Sequence, residues 1–165
     1  MSELSIIVRR RRSSYDLANN MQDRFMLYFE NGLLFSAKCQ TVTNMSKSRP
    51  GDTVAPGPFA LRAFVEPRAF YGRIHGICHA HDLEGQEIDG ASVEPEAGAG
   101  PVDYARWLVH DTQKPRPARP GTILPRAWSA GCFVMSPDDL EAFGQILDAY
   151  KVRPGELIPG EVIED

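Results

Sequence analysis

Cys132 stands behind a small polar residue, a small residue and a glycine in the run Trp128-Ser129-Ala130-Gly131-Cys132-Phe133-Val134-Met135. Glycine before a thiol lets the backbone turn tightly and leaves amide N–H groups near the sulfur. That arrangement suits a nucleophile with an oxyanion site beside it, built from the amides of Gly131 and Cys132. The plainer reading is a buried structural cysteine, since free cysteine is among the most buried residue types. A nucleophilic thiol needs a base, and the chain offers four histidines: His75, His79, His81 and His110. His110 closes the apolar run Tyr104-Ala105-Arg106-Trp107-Leu108-Val109 and precedes Cys132 by one loop, so neighbouring strand ends would bring the two together. An imidazole there could take the thiol proton, and the chemistry would be acyl transfer or amide hydrolysis through a thioester. A second cluster is Arg73-Ile74-His75-Gly76-Ile77-Cys78-His79-Ala80-His81-Asp82. On a strand, His79 and His81 point to one side, and with His75 or Asp82 they have the donor types of a zinc site. Hydrogen-bonded surface histidines are the competing reading, and no metal or other cofactor is expected.

The elements that must position these residues read as mainly β. Leu4-Ser5-Ile6-Ile7-Val8 is short and β-branched, hence a strand. Arg9 to Arg12 follows as a solvated strand end rather than a phosphate contact. Asn31-Gly32 between the runs Phe25–Glu30 and Leu33–Cys39 predicts a β-hairpin, because both turn residues tolerate positive φ. Pro56-Gly57 marks a turn into a strand from Phe59 to Val65. Long loops are expected at about residues 83–102, rich in acid, Gly and Pro, and 113–127, rich in Pro and Arg. Ser136 as N-cap, Pro137 at the first helical position and Asp138-Asp139 in the first turn open a helix. Its apolar stripe is Leu140, Phe143, Leu147 and Tyr150, and Arg153-Pro154-Gly155 ends it. Leu157 to Ile163 is a candidate last strand.

Composition agrees with one soluble domain over residues 1–165. The chain has 165 residues, 42% hydrophobic and 24% charged, with a net charge of −4. At this length folding buries roughly 70% of the unfolded chain's surface. The acidic balance gives no field for nucleic acid. Three cysteines, an odd number, do not suggest a disulfide framework. No apolar run is long enough to span a membrane, and Leu4 to Val8 is too short for a secretory signal.

The run Ser129-Ala130-Gly131-Cys132-Phe133-Val134-Met135 resembles the S-H-G-C-[IV]-R signature of the L,D-transpeptidase (YkuD-type) catalytic domains. Val109-His110-Asp111-Thr112 is similar to that family's I-H-G-T segment, and Ala55-Pro56-Gly57-Pro58-Phe59 to its T-P-x-G-x-[FY] segment, in the family's order. The resemblance covers Val54 to the C-terminus. It implies a β-sandwich-like domain with one C-terminal amphipathic helix after the cysteine motif. It implies Cys132 as nucleophile, His110 as base, the amides of Gly131 and Cys132 as oxyanion hole, and Ser129 ordering the turn. The implied substrate is the peptidoglycan stem peptide, attacked at the L-centre of its third residue. Ala130 stands where the signature has histidine and Val134 where it has arginine, which leaves carboxylate recognition to Arg126, Arg106 or no residue. Ile74-His75-Gly76 is a rival match for the base. Relatives of this kind occur in phage-borne and secretion-delivered proteins. The expected route is therefore synthesis in the cytoplasm and action at the periplasm or cell wall by a non-Sec path, with a delivery or immunity partner. Two other readings stay open: an inactive binding or structural module of a phage or secretion apparatus, and a metal-dependent protein built on His75, His79 and His81.

Overall fold

The structure is a computed structural model, and it describes residues 3–10, 23–41, 53–54, 56–70, 74–84, 93–94, 108–111 and 133–164. Ten strands and one helix are described: β1 (Leu4–Arg10), β2 (Asp23–Phe29), β3 (Gly32–Cys39), β4 (Thr53–Val54), β5 (Gly57–Phe70), β6 (Ile74–His81), β7 (Val93–Glu94), β8 (Leu108–Asp111), β9 (Phe133–Met135), α1 (Pro137–Ala149) and β10 (Leu157–Glu164). Eight strands form one sheet in the order β3-β2-β1-β10-β5-β6-β8-β9, and β4 pairs with β7. The mainly β fold with one helix after the cysteine motif is the one expected.

The alternation of β1 explains how this sheet makes a core. Leu4, Ile6, Val8 and Arg10 are buried while the residues between them are half-buried or exposed. Period 2 puts those four side chains on one face. In register beside them stand Phe25 and Leu27 of β2, and Gly160 and Val162 of β10. Phe59 and Leu61 continue the row on β5. The sheet curls around this face. Its two edges meet where Gln40 and Val134 exchange backbone hydrogen bonds of 2.8 and 2.9 Å. Helix α1 lies over the enclosed apolar face. Phe143 packs against Phe25 and Phe35, with ring centroids 5.2 and 5.7 Å apart, and Phe133 against Phe59 at 5.3 Å. One close approach demands a glycine. A Cβ on Gly160 would lie 2.6 Å from Phe59 Cζ and 3.1 Å from Ile6 Cβ.

Five local expectations change. The hairpin forms, but Phe29 pairs with Gly32, so the turn residues are Glu30-Asn31, and Glu30 takes the positive φ of 52°. Arg10 is not a solvated strand end but 0% exposed, because it continues the inward parity of Leu4, Ile6 and Val8. Within 83–102, Val93–Glu94 is a strand paired with Thr53–Val54; the loop expected at 113–127 lies outside the described residues. Helix α1 starts as read, with Ser136 Oγ accepting from the Asp139 N–H at 3.1 Å. It ends at Ala149, before Arg153-Pro154-Gly155, and Lys151 at φ 55° turns the chain away. Tyr150 is 40% exposed and caps the helix rather than joining its buried stripe.

Candidate active site around His110

Parallel pairing of β8 with β9 sets Val109 against Phe133, His110 against Val134 and Asp111 against Met135. On the other side of β8, His110 faces Gly76 of β6. The strand carrying the candidate base thus lies directly beside the strand that leaves the cysteine motif. Cys132, Gly131 and Ser129 lie outside the described residues, as do Ala130, Arg106 and Arg126.

His110 is 1% exposed. Its Nδ1 lies 2.7 Å from the carbonyl oxygen of Asp111. A carbonyl only accepts, so Nδ1 carries the proton and donates it, and Nε2 holds the lone pair. Among the described residues Nε2 is buried without a hydrogen-bond partner. Burial pushes the pKa of His110 down to about 4, against the opposing pull of the Asp111 carbonyl and the Asp111 charge. The ring is therefore neutral near pH 7, with an oriented tautomer and a bare acceptor nitrogen, which is the form a proton-abstracting base must have.

The rival base sits elsewhere. His75 Nδ1 lies 3.3 Å from Asp111 Oδ2, and the His75 backbone N–H donates to Asp111 Oδ1 at 3.3 Å. Asp111 is 2% exposed. Successive side chains of a strand project to opposite faces, so the His75–Asp111 pair lies across β8 from the His110 ring. His79 and His81 share a side, as read, with ring centroids 4.6 Å apart, and His81 Nδ1 is 2.8 Å from the His79 carbonyl oxygen. No group of three His, Cys, Asp or Glu among the described residues is placed to hold a metal ion. Cys39 and Cys78 are buried free thiols. Burial raises the Cys39 thiol well above its usual range and the Cys78 thiol to about 12, so neither is a nucleophile near neutral pH.

One polar cluster was not anticipated. Arg10 Nε donates to Thr41 Oγ1 at 3.0 Å, and Thr41 Oγ1 donates to Asp23 Oδ2 at 2.6 Å. Arg10 NH1 also lies 3.6 Å from Glu164. Thr41 follows Gln40, so this network braces the place where β3 meets β9. The parity of β1, carried two residues past Val8, was the signal that could have found Arg10.

No model of a known protein family matches the sequence. The chain is 37% identical over 152 residues to an uncharacterized protein of Treponema pallidum (strain Nichols), a match that takes in 87% of this chain and 66% of that protein. The chain thus spans just under two thirds of that relative's length. Among solved structures it is similar to the Ldtfm–avibactam carbamoyl enzyme, with a TM-score of 0.40, 12% identity, and coverage of 100% of this chain and 50% of the other. It is also similar to Mycobacterium tuberculosis L,D-transpeptidase 1, at 0.38 and 16% over 98% of this chain and 63% of that one. An L,D-transpeptidase from Mycobacterium smegmatis gives 0.37 and 15% over 97% and 59%.

Proposed function

We propose that this chain is a cysteine-dependent acyl transferase or amide hydrolase acting on peptidoglycan stem peptides, of L,D-transpeptidase or L,D-carboxypeptidase type. The observation that carries the reading is the His110 imidazole, held neutral with Nε2 bare on the strand beside the cysteine motif. In this reading Cys132, the residue before Phe133 in the sequence, supplies the thiol, and His110 on β8, the strand paired with β9, supplies the base. His110 Nε2 takes the thiol proton as sulfur attacks the carbonyl carbon of the third stem residue. The amides of Gly131 and Cys132 receive the oxyanion, and Ser129 orders the turn. Collapse expels the amine of the terminal D-residue, which leaves with the proton held by His110. An incoming amine or water then gives its proton to His110 as it attacks the thioester carbonyl; the C–S bond breaks, and the departing sulfur takes that proton back from His110. The amine route cross-links or exchanges, and the water route trims. The site of action in this proposal is the cell wall, reached by a phage-borne or secretion-delivered route.

One observation favours the second reading, a binding or structural module without catalysis. Val134, which stands where the signature has arginine, is 0% exposed, so no substrate carboxylate can be met from that position.

Mass spectrometry of muropeptides, after purified protein is incubated with Gram-negative sacculi, separates the two. Wild type is expected to trim, exchange or link tetrapeptides through L-centres, while Cys132→Ala and His110→Ala do not. Activity retained by His110→Ala and lost by His75→Ala would replace the base. An inert wild type, whose Cys132 reacts with alkylating reagents no faster than Cys39, leaves the binding module.

A further inference from the structure

We propose that the Asp111 side chain is the positioning residue of the base: its carboxylate clamps the start of β6 to the end of β8, and that clamp fixes the carbonyl oxygen to which the His110 ring is bonded. The role deepens, and rests on, the reading of His110 as the base that takes the thiol proton.

Asp111 is engaged from its backbone and from its side chain. Its carbonyl oxygen accepts from His110 Nδ1 at 2.7 Å. Its carboxylate accepts from the His75 backbone N–H on Oδ1 and faces His75 Nδ1 from Oδ2, both at 3.3 Å. The His110 ring and the Asp111 carboxylate project to opposite sides of β8. One residue therefore ties the ring on one side of the sheet to the neighbouring strand on the other.

The strand needs such a tie at this point. Pairing of β6 with β8 shifts between Gly76 and Cys78, and the partner pair nearest the start of β6 is Gly76 with His110. One residue beyond it, the His75 N–H is received by the Asp111 side chain. The carboxylate thus serves the β6 backbone while the Asp111 carbonyl serves the imidazole. Asp111 and His75 also line a cavity of about 520 Å³ between the sheet and α1. The lining of a void lacks partner atoms on that side, so polar contacts carry more of the holding there.

Burial points the same way. Asp111 is 2% exposed. Taking a carboxyl group out of water is costly unless polar groups meet it, and His75 meets both of its oxygens. Asp111 stands where the I-H-G-T segment has glycine, and glycine could supply no such brace.

The test reads the His110 ring itself, by nitrogen NMR of the full chain carrying isotope-labelled histidine, with the His110 signals assigned by their loss in His110→Gln. Near neutral pH, wild type is expected to show a single tautomer protonated at Nδ1. Asp111→Ala should show a mixture of both tautomers. In the muropeptide assay it should lower kcat about ten- to a hundredfold with KM nearly unchanged, the scale of a misplaced catalytic group. Asp111→Asn keeps an acceptor oxygen for the His75 N–H and should restore the single tautomer and most of kcat. His75→Ala, at a half-exposed position, removes the ring contact, keeps the backbone N–H and should shift the tautomer part-way; it decides the matter if Asp111→Ala does not fold. A wild type inert on muropeptides removes the role of His110 as base, while the ring signals still judge the clamp. An unchanged tautomer in Asp111→Ala, or in His75→Ala where Asp111→Ala does not fold, overturns the proposal, and so does a loss that Asp111→Asn fails to restore.

Discussion

Replacing His110 by glutamine should flatten the acid side of the stability profile. The wild-type ring is buried and its pKa lowered from 6.5 to about 4, chiefly by loss of water around the charged form. Between those two values the unfolded chain binds a proton that the folded chain refuses. Unfolding therefore becomes easier as pH falls, by up to about 1.4 kcal/mol per pH unit. The stability contributed by the neutral ring is complete above the unfolded pKa and is lost progressively as pH falls toward the folded one. Across the whole window the loss amounts to about 3 kcal/mol. Other groups titrate in the same range, but they are common to both proteins, so the difference between the two profiles isolates His110. Glutamine carries no titrating group, and the lost contact of Nδ1 with the Asp111 carbonyl adds an offset that does not change with pH, so the slope of the difference reports the titration. Denaturant unfolding followed by tryptophan fluorescence, repeated from about pH 7 down to about pH 4, gives both curves. The wild-type curve should fall more steeply with acid, and the two should converge toward the acid end. Parallel curves would mean that the ring is not held neutral by burial, and the buried setting described for His110 would be refuted.

Two further perturbations test the frame around the site. Gly160→Ala should destabilise the fold by about 1–3 kcal/mol, because the new Cβ meets a Phe59 ring that is 1% exposed and cannot step aside; an unchanged melting temperature would contradict the close approach. Thr41→Val keeps the side-chain shape but removes both the acceptor for Arg10 Nε and the donor to Asp23, and should cost about 1–3 kcal/mol in the same denaturant assay.

The β1 strand, the hairpin around Asn31 and helix α1 were legible because their signals act over a few residues. Period-2 alternation, a turn that tolerates positive φ, and the Ser136 cap with Pro137 behind it each fix local backbone without help from distant chain. Even there the structure moved details. The positive φ fell on Glu30, and α1 stopped at Ala149, because β2–β3 register and the docking of the helix on the sheet decide such boundaries. The candidate base was legible as a residue type at the end of an apolar run. Its state was not. The sequence could not say that His110 is buried, that its Nδ1 is committed to the Asp111 carbonyl, or that His75 lies across the strand from it.

Those facts come from pairings between segments far apart in the chain. β1 runs parallel to β10, which joins the two ends of the sequence. Gln40 meets Val134 and brings the sheet edges together. β8 runs parallel to β9 and fixes which residues share a face with His110. Each such pairing is chosen among many by the burial of whole apolar faces. A single residue shift in register would turn every side chain of a strand to the other side. The sequence by itself determined the elements and the residue types able to do chemistry. Only the tertiary structure decided which of them are dry, which are charged and which face one another.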